Sequence, residues 1–175
     1  MQNVRAIVLC PGPSLKAWLP RLDAICTGAS MIIGVNRAIE AYPCDYACSI
    51  DPFDHRERYN VQGNPKRIIT LAAKEVHDSQ GIAMDYGLVL DDRIHDLPNE
   101  KEIAWKCASS VAAMIAASIM GATQIDYYGR DMAGVNDFSG DAGKNRHPAR
   151  WERESLYFDM TKNWLKPKGV SITIY

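Results

Sequence analysis

Apolar residues fall in short runs broken by polar, Gly- and Pro-containing stretches. Such runs predict strands over Arg5–Leu9, Met31–Val35, 46–50, 67–71, 88–90 and Gln124–Tyr128. Near-continuous apolar runs of this length suit strands buried on both faces of a parallel sheet. The segment 170–174 differs. Val170, Ile172 and Ile174 alternate with Ser171 and Thr173, which fits an edge strand.

Between these runs the period changes to that of a helix. Leu15, Trp18, Leu19, Leu22, Ile25 and Cys26 recur at helical spacing, with Pro20 breaking or restarting the helix. Ser109 and Ser110 open an alanine-rich helix that runs through Met120 and stops at Gly121. It is apolar nearly all round, so it belongs in the interior against a sheet. Residues 151–165 form an amphipathic helix with Leu156, Tyr157, Met160 and Trp164 on one face, and Gly169 turns the chain into the last strand.

Strands alternating with helices predict an α/β fold. The expectation is a single Rossmann-like doubly wound domain over residues 1–175, with a mainly parallel sheet of about six to seven strands flanked by helices. Arg5–Leu9 is expected at its centre and 170–174 near an edge. Two polar segments, 52–64 and 133–146, resist assignment. Long irregular loops in a compact domain often act as lids.

Composition narrows the class of partner. The chain has 175 residues, 47% hydrophobic and 23% charged, with a formal net charge of -1. A near-neutral chain carries no global basic footprint for nucleic acid, which argues against that partner. No apolar run reaches membrane-spanning length and no signal-peptide pattern opens the chain, so a cytoplasmic protein with no membrane partner is expected. The oligomeric state stays open, with a homo-oligomer among the options. The five cysteines fit no zinc signature. Most read as buried thiols, with Cys44 and Cys48 placed on one face of a strand. Cys10 sits at a turn where a helix N-terminus lowers a thiol pKa, yet no paired base is evident.

In open α/β sheets ligands bind beyond the carboxyl ends of the strands. Here the first strand runs into Pro11-Gly12-Pro13-Ser14, a tight turn that opens a helix. Unpaired amides at a helix start favour an anion, and Gly12 lets a ligand approach the backbone. The same turn reads equally as a plain connection with Ser14 as the N-cap. The next strands end in Asn36-Arg37 and in Asp51, and Gln124–Tyr128 ends in Gly129-Arg130-Asp131. Ser109 and Ser110 open a crossover at the same rim. Asn36 can hydrogen-bond a base or ribose. Asp51 and Asp131 can hold sugar hydroxyls or Mg²⁺. Arg130, Lys144, Arg146 and Arg150 are candidate partners for a pyrophosphate. His147, between the glycine-rich loop and the last helix, is the candidate general base, while His55, His77 and His95 have weaker claims.

In this order, Gly12-Pro13-Ser14-Leu15, Asn36, Asp51-Pro52, Ser109-Ser110, Tyr128-Gly129-Arg130-Asp131 and His147 resemble the bacterial sialyltransferases of glycosyltransferase family 42. They also resemble the related MptE-like (DUF115) family, which includes an archaeal 6-hydroxymethylpterin diphosphokinase. The resemblance covers about Arg5 to Tyr175. It implies that Gly12, Pro13, Ser14 and Asn36 hold the nucleotide of a CMP-type donor. Ser109 and Ser110 approach its phosphate or sugar, Gly129 belongs to the nucleotide site, and His147 deprotonates the acceptor hydroxyl while Asp131, with Asp51, orients a sugar or a metal. Asp51 replaces an asparagine of the sialyltransferases, and their paired lid tyrosines have no clear counterpart. A diphosphokinase would instead use ATP and Mg²⁺, with Asp51 and Asp131 carrying the metal. A non-catalytic nucleotide-binding protein is the third reading.

Overall fold

The computed structural model describes residues 3–51, 55–69, 86–87, 94–100, 103, 108–133, 136–140 and 148–175. Seven parallel strands form one sheet: β1 (Arg5–Leu9), β2 (Met31–Val35), β3 (Tyr46–Cys48), β4 (Lys66–Ile69), β5 (Tyr86–Gly87), β6 (Gln124–Tyr128) and β7 (Ser171–Ile174). Their order is β5-β4-β3-β2-β1-β6-β7. Thus β1 lies inside the sheet and β7 at an edge, as the burial patterns of their sequences require. β3 stops two residues short of the expected strand, and the expected strand over 88–90 lies outside the described residues.

The pleat of β1 divides the core in two. Ala6 and Val8 face one layer, and Ile7 and Leu9 face the other. The first layer is covered by α4 (Ser109–Ile119) and α5 (Pro148–Leu165). The second is covered by α1 (Leu15–Trp18) and α2 (Leu22–Cys26), joined by a 3-10 turn at Leu19–Arg21 that contains Pro20. A further short helix, α3, spans His55–Arg58. Every α4 residue except Ser118 is buried, so a helix without a polar stripe has found an interior position. Its start corrects one expectation. Ala108 is the N-cap and makes no side-chain cap, so Ser109 and Ser110 are first-turn residues.

Two further expectations change. Leu156 is 57% exposed, and α5 packs instead through Tyr157, Phe158, Thr161, Trp164 and Leu165. That set repeats at one, four, seven and eight residues, a cleaner helical face than one including Leu156. Cys44 and Cys48 belong to opposite layers, because the strand begins only at Tyr46.

One buried charge is built into the sheet. Asp126 of β6 is fully buried, and Arg5 Nε of β1 donates to its carboxylate at 2.8 Å. Gln124 Nε2 donates to both carboxylate oxygens, and Arg5 Nη1 reaches the Ile25 carbonyl at 3.0 Å. The pair is therefore satisfied on both sides, which a buried ion pair needs to break even.

Candidate functional site at the topological switch point

Successive strands after β1 build outward to β5, and the chain then returns through α4 to place β6 on the other side of β1. The strand order reverses between β1 and β6. In an open α/β sheet the crevice beyond that point is where ligands bind. A cleft lies there, with about 610 Å³ of empty space when its open mouth is included. Its walls come from five places. Cys10, Pro11 and Gly12 follow β1, Asn36 follows β2, and Gly129, Arg130 and Asp131 follow β6. Ala108, Ser109 and Ser110 open α4 above it, and Arg150, Trp151 and Glu154 of α5 close the far side.

The two loops beside the switch point are interlocked. Cys10 N–H donates to the Tyr128 carbonyl at 2.8 Å and Gly12 N–H to the Gly129 carbonyl at 2.9 Å. A Cβ on Gly12 would collide with Asp131 Oδ2 and the Gly129 carbonyl. A Cβ on Gly129, where φ is +76°, would collide with the Cys10 carbonyl and with Leu15. These glycines are required by the close approach of two backbones. The Ser14 N–H donates to Asp131 Oδ2 at 2.9 Å, so a side-chain carboxylate already occupies the start of α1. The turn after β1 is thus served by the protein itself.

The other rim contacts centre on Ser109. Its hydroxyl donates to Asn36 Oδ1 at 3.2 Å and accepts from Ile50 N–H at 3.1 Å. This joins the ends of β2 and β3 to the first turn of α4. Asn36 adopts a left-handed conformation with φ at +48°, a strained choice that often marks a functional position. The segment after β6 folds back over the same rim. Phe138 N–H donates to the Pro11 carbonyl at 3.1 Å, and Arg37 approaches Asp137 at 3.6 Å.

Among the described residues, two groups in the cleft lack hydrogen-bond partners. Ser110 Oγ is buried with no hydrogen bond, although its carbonyl accepts from Tyr127 Oη at 2.7 Å. Arg130 Nε and one of its terminal nitrogens are likewise buried and unpartnered. The guanidinium carbon lies 3.5 Å from the centre of the Phe158 ring. Burial pulls the Arg130 pKa below its ordinary value, against the opposing influence of Cys10, Tyr127, Asp159 and Glu154. The other charges lining the cleft are engaged. Arg150 Nε donates to Glu154 at 2.6 Å, and Asp131 receives Ser14.

Of the residues named from sequence, Gly12, Asn36, Ser109, Ser110, Gly129, Arg130, Asp131 and Arg150 line this cleft. Pro13 and Ser14 sit just behind it and are not among its walls. Asp51 is exposed and also lies apart from the lining, its N–H bonded to Ser49 Oγ at 3.1 Å. His147 falls outside the described residues, as do His77, Lys144 and Arg146. Cys10 is buried, 3% exposed, with no paired base among the described residues. Burial pushes its thiol up to about 12, outweighing the nearby Arg130. Among the described residues no group of three His, Cys, Asp or Glu side chains is placed to hold a metal ion. No helix there is long and apolar enough to cross a membrane.

Reasoning from sequence missed Trp151 and Glu154. Their signal was the one-and-four spacing of Arg150, Trp151 and Glu154 on the first turns of α5. Neither a protein-family model nor a curated protein sequence matches this chain.

Proposed function

We propose that this chain is a nucleotide-binding transferase with glycosyltransferase-like architecture. It moves a sugar from a nucleotide-activated donor of the CMP type to an acceptor hydroxyl. One observation carries the reading. Polar and glycine residues from three strand ends and one helix start converge on a single cleft at the switch point of a parallel sheet. Seven of them are residues through which the chain resembles family 42 sialyltransferases.

In this reading Asn36, held by Ser109, binds the base or ribose, and the first turn of α4 faces the reacting end of the donor. His147 accepts the proton of the acceptor hydroxyl. That oxygen then bonds to the anomeric carbon, and the nucleotide leaves with the bonding electron pair. Trp151 offers a flat apolar wall for a sugar or base. Of the carboxylates implied for a metal, Asp131 lies in the cleft with one oxygen committed to Ser14, and Asp51 stands apart. That donor set fits Mg²⁺ poorly, so no step is assigned to a metal.

A thermal-shift screen with CMP, CDP, UDP, GDP, ATP and S-adenosylmethionine, each with and without Mg²⁺, tests the proposal. A ligand at a hundred times its Kd should stabilise the fold by about 2.7 kcal/mol. Stabilisation by a pyrimidine nucleotide without Mg²⁺ supports it. A response to ATP alone, and only with Mg²⁺, redirects the assignment to diphosphoryl transfer. No response to any of them removes the nucleotide from the account.

A further inference from the structure

Among the described residues Arg130 makes no ion pair, and two of its nitrogens are buried without a hydrogen-bond partner, while its flat face rests on Phe158. Phe158 is itself fixed, its ring 5.2 Å from that of Tyr127 and edge-on to it. The arginine is therefore held by packing while its hydrogen-bonding capacity goes unused. Native proteins rarely leave buried polar groups unmade, so each such case needs an explanation. A guanidinium offers a planar fork of donors matched to an oxyanion.

The first turn of α4 lines the same cleft and has the same need. Its Ser109 and Ser110 N–H groups find no acceptor among the described residues, since the helix ladder begins with the N–H groups of Val111 and Ala112 on the Ala108 carbonyl. Ser110 is only 7% exposed, and its hydroxyl is unpartnered in this cleft. α4 has eleven residues, long enough for its N-terminal dipole to favour an anion. Three independent donors thus meet one cleft whose carboxylates, Asp131 and Glu154, are already engaged by Ser14 and Arg150.

The geometry points to a phosphoryl-binding subsite formed by Arg130, the Ser110 hydroxyl and the first amides of α4, with Arg130 setting the requirement for an acidic ligand. The subsite rests on the reading of the cleft as a nucleotide site and specifies which end of the nucleotide is gripped. Asn36, across the first turn of α4, is left for the base or ribose. A free phosphate or pyrophosphate carries the same chemistry as a nucleotide phosphate.

Titration calorimetry on the full chain separates these sources. The ligands are CMP, UMP, GMP and AMP, each beside its nucleoside, and inorganic pyrophosphate. At least one monophosphate should bind about tenfold or more tighter than its nucleoside. Arg130→Met keeps an unbranched apolar stem on Phe158 and removes the charge. It should erase that difference while leaving nucleoside binding unchanged, and the melting temperature of the unliganded protein should stay level or rise. Arg130→Lys should restore part of the difference. Equal affinity for a monophosphate and its nucleoside would overturn the subsite and leave the nucleotide reading standing. Arg130-dependent binding of pyrophosphate without any nucleotide binding would uphold the subsite and refute the nucleotide reading. If Arg130→Met instead lowers the melting temperature and leaves every affinity unchanged, the arginine is structural and the inference is wrong. Absence of binding by all nine ligands overturns both.

Discussion

Gly129→Ala should be among the most damaging single-methyl changes in this protein, and Gly121→Ala supplies its control. Both glycines have positive φ, +76° and +95°. An alanine at either position bears the cost of the left-handed backbone, about 1–2 kcal/mol. At Gly121 nothing else follows, because no heavy atom lies within 4 Å of the added Cβ. At Gly129 the Cβ meets the Cys10 carbonyl, and Leu15 Cβ lies at 2.7 Å. Backbone cannot step aside as a side chain can. Relief requires the loops after β1 and β6 to separate, which weakens the Cys10–Tyr128 and Gly12–Gly129 hydrogen bonds. Overpacking adds about 1–3 kcal/mol and each weakened hydrogen bond about 0.5–1.5 kcal/mol. The sum is about 3–8 kcal/mol for Gly129→Ala against about 1–2 kcal/mol for Gly121→Ala. Urea denaturation of both variants, compared at equal m-value, reads the difference directly. Equal losses at the two positions would refute the claim that two backbones interlock at the switch point.

Other changes probe the layers around the site. Asp126→Ala leaves Arg5 without its buried partner and should cost about 3 kcal/mol in chemical denaturation, the low end for such pairs because Arg5 is partly exposed. Phe158→Ala should cost about 3–5 kcal/mol, whereas Leu156→Gln should stay within about 0.5 kcal/mol, a contrast that tests which face of α5 is buried. Burial pushes the thiols of Cys10 and Cys44 up to about 12 and that of Cys26 up to about 11. Each ionises earlier in the unfolded chain, near pH 8.5, so its stabilising share is complete below that pH. It declines as pH rises toward the folded values, by up to about 1.4 kcal/mol per thiol per pH unit. Denaturation midpoints should therefore fall between about pH 8 and 10, less steeply in a Cys10→Ala variant, and identical slopes would mean that water reaches Cys10.

The sheet was legible because its strands are short apolar runs buried on both faces, and β1, β2 and β6 were located to the residue. The periphery was harder to read. β3 and the face of α5 depend on which apolar residues tertiary packing selects, and Leu156 fits the helical period without being chosen. At the site, the rule that ligands sit beyond strand ends found the glycines, Asn36 and the two serines. It could not foresee that the protein's own Asp131 would occupy the start of α1, a contact between residues 117 positions apart. Nor could it distinguish Arg130 from an ordinary surface charge. That distinction comes from Phe158, which reaches Arg130 only when α5 packs across the end of β6.

The most direct test of the nucleotide cleft is amide hydrogen exchange with and without saturating CMP. The account predicts new protection at residues 108–110, 129–133 and 36, at the carboxyl end of the sheet. The opposite end, where Thr123, Trp164 and Lys168 line a second cavity, should be unchanged. Protection confined to that second cavity, or no change anywhere under conditions where CMP binds, would contradict it.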